Sequence, residues 1–448
     1  MAKGGEFCEI YHEYKIQNVL TLEENKIKES KFHVNEGVGI RVVVGEKVGY
    51  AYSDIIDEHF LLRAAKTAAY ISSEKITQPA AINTISQKEV HSCSYENPNV
   101  ISPDVKSELL FRINEAARSN GSEIFQVTCT FFDEMKHVEI ANSEGLWKRD
   151  EQSVINLNVV CAAQMGTIRD IGRAFEGGRY PFSYLNSEKP EKIGKKAAQQ
   201  AITKLHAHPA PVGMLPVVIA KGWGGVLVHE AVGHGLESDF NRKNTSLYSG
   251  KMKKKVASSL VTIIDDGTIP NGRGTLVFDD EGTPTERTVL IENGVLVGLM
   301  TDLQNSRLLG IKPTGNGRRM SFREYPLPRM TNTFIDRGDT EESDLIGEVK
   351  KGIYAAQLGG GQVDITTGNF VFEVSEGYLI ENGKITSPIR GANLIGNGPE
   401  AMQKVVGVGN DLKIESAAGT CGKDGQNVYV GVGQPVIYIS EMTIGGTG

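Results

Sequence analysis

The alternation of apolar and polar positions divides the chain before any chemistry is considered. Residues 39–44 and 47–52 are β-rich runs around Gly45-Glu46 and predict a hairpin, and 55–71 follow with apolar residues at helical spacing. From 72 to 101 the periodicity is lost and Pro79 and Pro98 gather, with Pro103 just beyond; this marks a linker and predicts a small N-terminal hairpin-helix domain over 1–80. Ser102-Pro103-Asp104 then supplies a cap, a first-turn proline and an acidic first turn, Val105, Leu109, Ile113 and Ala116 form an apolar stripe, and Asn120-Gly121 stops the helix. Phe125, Val127, Cys129 and Phe131 alternate with polar neighbours as a half-buried strand does. Strand-like runs at 136–142, 146–150 and 152–162 and a charged helix over 190–206 complete a middle domain, 102–208, of helix plus antiparallel meander.

From 213 to 448 the runs are short and punctuated by glycine. The pentapeptide Leu-Ile-Glu-Asn-Gly occurs at 290–294 and again at 379–383, and Asn-Gly between apolar runs favours a type I′ turn because both central residues need positive φ. Two such hairpins predict one large antiparallel sheet, and the whole chain reads as α+β with a Gly-rich β C-terminal domain. Glycine supplies 51 of 448 residues, about 11% against a usual ~7%.

With 40% hydrophobic and 23% charged residues the chain is an ordinary folded protein. Lys plus Arg number 48 and Asp plus Glu 55, a net charge of −7, so no global positive field exists to hold nucleic acid. The cluster Lys251, Lys253, Lys254, Lys255 reads as a solvated loop. Met-Ala-Lys-Gly-Gly-Glu-Phe has no apolar core of a signal peptide, and no stretch reaches the ~18 apolar residues of a membrane span, which predicts a cytoplasmic protein. Five cysteines without CxxC pairing argue against a disulfide framework.

Chemistry concentrates at Val-Leu-Val-His229-Glu230-Ala-Val-Gly-His234-Gly-Leu, where two imidazoles and a carboxylate are set into an apolar stretch. The familiar zinc-protease pattern spaces its histidines four apart on one helix face, with the glutamate after the first as general base. Here the spacing is five, and a regular α-helix would carry the second histidine about 140° round. A π-type widening, or a helix ending at Gly233, would bring the two together. Taken alone, such a triplet is more often a capping or core arrangement.

A catalytic zinc takes three protein ligands and keeps one position for water. Glu237 and Asp239 sit just past the expected helix end and read as solvated; Cys129 and Cys161 read as inert core thiols; His206 and His208 lie in a Pro-rich break. Cys421, in Gly419-Thr-Cys-Gly-Lys423, reads as a thiol on a small-residue loop with a cation two positions on, which favours thiolate. The residues themselves leave it open between third ligand and unliganded thiol. The glycine-rich pieces at 37–39, 315–317 and 359–361 lack the P-loop lysine and read as turns or close approaches. Arg318, Arg319, Arg329 and Asp364 could line a peptide cleft, but charged residues near glycine turns are more often surface salt links, and they are read as such.

Six stretches in order, His229-Glu-Ala-Val-Gly-His234-Gly-Leu-Glu-Ser-Asp239, Val261-Thr-Ile-Ile-Asp-Asp-Gly267, Asp279-Asp-Glu-Gly-Thr-Pro284, Thr314-Gly-Asn-Gly-Arg-Arg319, Pro328-Arg-Met-Thr-Asn332 and Gly419-Thr-Cys-Gly-Lys423, resemble the TldD branch of the TldD/PmbA family. The likeness is dense from about 213 onward and looser before it. The resemblance implies a zinc metallopeptidase in which His229, His234 and Cys421 hold Zn2+ and Glu230 is the catalytic glutamate. It also implies a heterodimer with a TldE (PmbA) subunit lacking the metal motif, the pair cleaving unfolded peptides such as modified-peptide leaders. An older description of the family as modulators of DNA gyrase finds no direct-binding support in the acidic balance. The expected reaction is metal-assisted amide hydrolysis. Its rivals are a zinc hydrolase of a small amide or nucleobase, and a non-catalytic regulatory or binding subunit with structural zinc.

Overall fold

The computed structural model describes residues 5–72, 88–90 and 100–446. Most of the expected linker, with Pro79, Cys93 and Pro98, lies outside them. The expected hairpin forms as the end of β2 (Lys26–Val44) and β3 (Lys47–Ser53), and the helix after it is α1 (Glu58–Ser72). Before it runs β1 (Phe7–Glu23), a strand whose many charged residues hid it from the apolar pattern. The meander proves longer than its apolar runs. The strand pieces from 124 onward merge into β5 (Ile124–Asn142) and β6 (Trp147–Met165), followed by β7 (Ile168–Gly178), while β4 (Lys88–Val90) pairs with the start of β6. The polar stretch that interrupts the alternation stays in the ladder because its charges find partners: Asp133 accepts from Lys106 at 2.6 Å and Asn18 at 2.7 Å, and Glu134 accepts from Gln17 at 2.6 Å.

These strands form one seven-stranded sheet in the order β3-β2-β1-β5-β6, with β4 and β7 on β6. α2 (Pro103–Arg118), capped by Ser102, and α3 (Lys189–Leu205) cover one face of it. Leu109, Leu110, Ile113, Ala197 and Ala201 pack there against Phe131, Leu157, Cys129 and Cys161. Both thiols are fully buried, and burial pushes each up to about 12, as inert core thiols require.

The remainder builds two large sheets and two separate two-stranded ladders, not the single antiparallel sheet expected. In the larger, the strands Lys351–Val363, Gly213–Ile219, Ile437–Gly446, Ala392–Asn397 and Asn369–Glu381 pair in sequence, and the first also pairs with the last, closing a ring. The second sheet is built around Ile263–Asp266, Asn332–Ile335 and Gly431–Gln434. The repeated pentapeptide makes its two type I′ turns, with φ of 47° and 82° at Asn293-Gly294 and 51° and 75° at Asn382-Gly383, but one in each sheet. Local turn chemistry fixes the hairpin, not the sheet it joins. Parallel pairings, such as Asn332–Ile335 with Gly431–Gln434, make both sheets mixed.

The seven-stranded sheet meets the C-terminal part through buried charge. Arg41 donates to Glu9 at 2.9 Å and to Glu281 at 2.5 Å, Arg319 also donates to Glu9, and all four side chains are 0–1% exposed. Tyr11, Val138, Ile140, Phe278 and Phe322 pack beside them. Arg41→Met would leave Glu281 buried without its cation and halve the compensation of Glu9, a loss on the order of 3–5 kcal/mol. The expected outcome is a lower urea midpoint with the far-ultraviolet circular dichroism of the folded state retained in buffer.

Candidate metal centre

The central strand Gly213–Ile219 of the ring leads into the segment 223–236, which places Leu227, Val228, Ala231, Val232 and Leu236 in a core shared by both C-terminal sheets. After one short α-helical piece, Val226–Val228, the backbone widens: over His229–Gly233 it is a π-helix, and the His234 amide donates to the His229 carbonyl five residues back. It then tightens to a 3₁₀ turn, His234–Leu236. The extra residue per turn brings both imidazoles to one side, with ring centroids 5.2 Å apart. Gly233 and Gly235 flank His234 and let the Met330 thioether and the Tyr248 ring lie directly on the backbone, where a Cβ would overlap them.

Cys421 arrives from the opposite end of the C-terminal part. Thr420–Lys423 is a strand, not the small-residue loop expected, paired with Gln426–Tyr429 across an Asp424-Gly425 turn with φ of 49° and 75°. The Asp-Gly dipeptide was the overlooked hairpin signal. Cys421 Sγ lies 3.4 Å from His234 Nε2, and one ligand atom each from His229, His234 and Cys421 lies within 4.8 Å of the others. Zn–N bonds of ~2.1 Å and a Zn–S bond of ~2.3 Å in a tetrahedron separate donors by about 3.3–3.8 Å, so the spacing and the two-nitrogen, one-sulfur donor set fit zinc. All three residues are buried, whereas the Glu230 side chain is 26% exposed, with Oε2 3.9 Å from His234 Nε2. The glutamate therefore lies between the cluster and solvent.

Burial alone would push the Cys421 thiol up; the His234 and His229 imidazoles beside it outweigh that and hold it well below the ordinary thiol value. Lys423, the cation expected to do this, is engaged elsewhere. Its Nζ donates to Glu237 at 3.0 Å, Asp239 at 2.8 Å and the Pro328 carbonyl at 3.1 Å. Glu237 and Asp239, expected in solvent, are accordingly buried at 0% and 6% exposure. Glu237 also takes a hydrogen bond from His234 Nδ1 at 3.3 Å, which turns Nε2 toward Cys421. Against the desolvation that would raise it, Lys423 and His234 lower the Glu237 carboxyl to about 2. The signals that could have found this pair are spacings: Glu237 lies three residues after His234 on the same turn, and Lys423 two after Cys421 on the same strand face.

The arginines expected at the surface are likewise inside. Arg329 is fully buried and donates to the carbonyls of Cys421 and Gln426, clamping the hairpin; Arg318 donates to the Met330 carbonyl at 2.6 Å. Asp364 is exposed and capped by Thr366 and Thr367 amides, away from the cluster, as are the exposed His206 and His208. Lys253, Lys254 and Lys255 are exposed on a loop.

Models for the first, central and C-terminal domains of PmbA/TldA metallopeptidases match residues 8–72, 96–205 and 212–446 in that order. The chain belongs to the PmbA/TldD metallopeptidase family. A Haemophilus influenzae protein named Metalloprotease TldD homolog is 42% identical over 99% of this chain and 93% of its own length. A Saccharolobus solfataricus family member named Zinc metalloprotease TldD homolog is 28% identical over 99% of this chain and 97% of its own. The fold matches that of Thermococcus kodakarensis TldE, with a TM-score of 0.79 at 22% identity over 99% of this chain and 98% of that one. It also matches a Thermotoga maritima protein presented as a candidate modulator of a DNA gyrase, with a TM-score of 0.81 at 22% identity over 98% and 96%. Among the described residues, no helix is long and apolar enough to cross a membrane.

Among the described residues of this metallopeptidase the Lys423 ammonium is the one ion-pair partner of the buried Asp239 carboxylate, and one of two partners of Glu237. Lys423→Met should therefore destabilise the C-terminal part by on the order of 3–5 kcal/mol, seen as a lowered transition in scanning calorimetry. Lys423→Arg, which keeps the charge, should recover part of the loss.

Proposed function

We propose that the protein is a zinc-dependent peptidase hydrolysing unfolded peptides or peptide leaders in the cytoplasm, as one subunit of a TldD/TldE-type heterodimer. The observation that carries this reading is the convergence of His229, His234 and Cys421, with Glu230 alongside and open to solvent. His229, His234 and Cys421 would hold the ion. When bound, zinc supplies Lewis acidity and lowers the pKa of water toward ~7. Glu230 takes the water proton and passes it to the leaving amine. Glu237 keeps the His234 ring oriented, and Arg329 fixes the backbone that carries Cys421. The Cys421 hairpin is two-stranded, so each strand keeps one edge outside its ladder. An extended peptide adding there would be held by main-chain groups, which suits unfolded substrates of varied sequence.

His229→Ala and His234→Ala should each lose zinc, read by metal analysis after purification without chelator. Glu230→Gln should keep zinc while hydrolysis falls by roughly 10² to 10⁴, and Cys421→Ser should lose zinc and activity together. The reverse pattern in the last two would make the glutamate the ligand.

The partner reading draws on the family, whose named members include TldD homologs and a TldE. Mixing with a TldE-like chain should shift the sedimentation of this protein to that of a heterodimer and raise peptide hydrolysis. A monomer cleaving at full rate, with no gain from the second chain, would remove it.

A further inference from the structure

A cavity of about 330 Å³ opens beside the Cys421 hairpin, lined by Thr420, the residue before the cysteine, and by Val428, which faces Cys421 across the ladder. His229, Glu230 and His234 do not line it, so it is a neighbouring compartment one residue along the strand from the proposed ligand. Its walls carry six basic side chains and two acidic ones. Three of the cations have carboxylates: Lys15 pairs with Glu13 at 3.3 Å, Lys136 with Asp280 at 3.8 Å, and Arg319 with Glu9. Glu134 is already held by Tyr429 at 3.0 Å and Gln17 at 2.6 Å.

Arg179 and Arg318 differ. They are 5% and 4% exposed, pair with no carboxylate among the described residues, and have a backbone carbonyl each, that of Ser153 at 3.3 Å and that of Met330 at 2.6 Å. The Nε of each is buried without a hydrogen-bond partner, as are Nε and Nη1 of Arg319. Burial lowers the Arg318 guanidinium to about 10, and the attraction of Asp280 and Asp265 offsets this only in part against the repulsion of Arg329 and Arg179. A planar guanidinium with spare donors takes a carboxylate through two parallel hydrogen bonds.

Resting on the peptidase reading above, we propose that this cavity is an anion subsite that takes a carboxylate of the peptide substrate next to the scissile bond, with Arg318 and Arg179 as its specificity-determining residues. The carboxylate is either the C-terminal one or an Asp or Glu side chain.

The test compares three otherwise identical unstructured peptides: a free C-terminal acid, its C-terminal amide, and the amide with one Asn changed to Asp. Binding is measured to zinc-loaded Glu230→Gln protein, and cleavage to the wild type. The acid should bind about tenfold to a hundredfold more tightly than the amide, the range of a charge-assisted bond. If only the Asp peptide gains, the side chain is the source and the subsite stands. In Arg318→Gln the gain should vanish through KM with kcat kept, and Arg318→Lys should restore part of it. Equal binding of all three peptides to the Glu230→Gln protein, or none by any, overturns the subsite whatever the mutants do. Preferred binding of the acid without cleavage by the wild type would keep the subsite and sink the peptidase reading.

Discussion

The hydrogen bond from the His234 amide to the His229 carbonyl spans five residues, and the candidate centre is arranged around the residue it accommodates. In a regular α-helix the two rings would diverge by about 140°. The widened turn is held by packing on every side: Leu227, Val228, Val232 and Leu236 are fully buried, and Met330 and Tyr248 press on the backbone at Gly233 and Gly235. Imidazoles in such surroundings are costly without polar partners. Glu237 meets that need for His234, but a buried carboxylate needs a cation in turn, and Lys423 provides it. The same short strand thus delivers both the sulfur and the ammonium, because residues two apart on a strand face the same way.

That strand is itself held by a lattice of polar groups from motifs far apart in the chain. Asp265 accepts hydrogen bonds from Asn316, Thr331 and Thr333, and Asn316 also donates to the Arg329 carbonyl, so the arginine that grips Cys421 is fixed from behind. Asp279 accepts from the amides of Glu281, Thr283 and Gly317, which shapes the turn that carries Glu281 to Arg41. Through Arg41, Glu9 and Arg319 the N-terminal sheet is joined to this lattice. Buried charges of this kind add little net stability but are expensive to break singly, so they act as a registry device between the sheet and the centre.

The elements with strong local patterns were legible: the Ser102-capped helix, the hairpin at Gly45-Glu46, the charged helix before the Pro-rich break and both Asn-Gly turns. The His-Glu pair with its second histidine could be read as chemistry together with the helix distortion it required. What the sequence by itself determined was therefore local: residues sharing a turn or a strand face, and donors of the right type. It misjudged burial for the charges around the centre, placing Glu237, Asp239, Arg318, Arg319 and Arg329 in solvent while reading Asp364 and the lysine loop correctly, and it merged two sheets into one. Only the tertiary structure decided those, because a charged residue is tolerated inside when its partner is present, and the partners here lie 97 residues away for Arg329, 186 for Glu237 and 310 for Arg319.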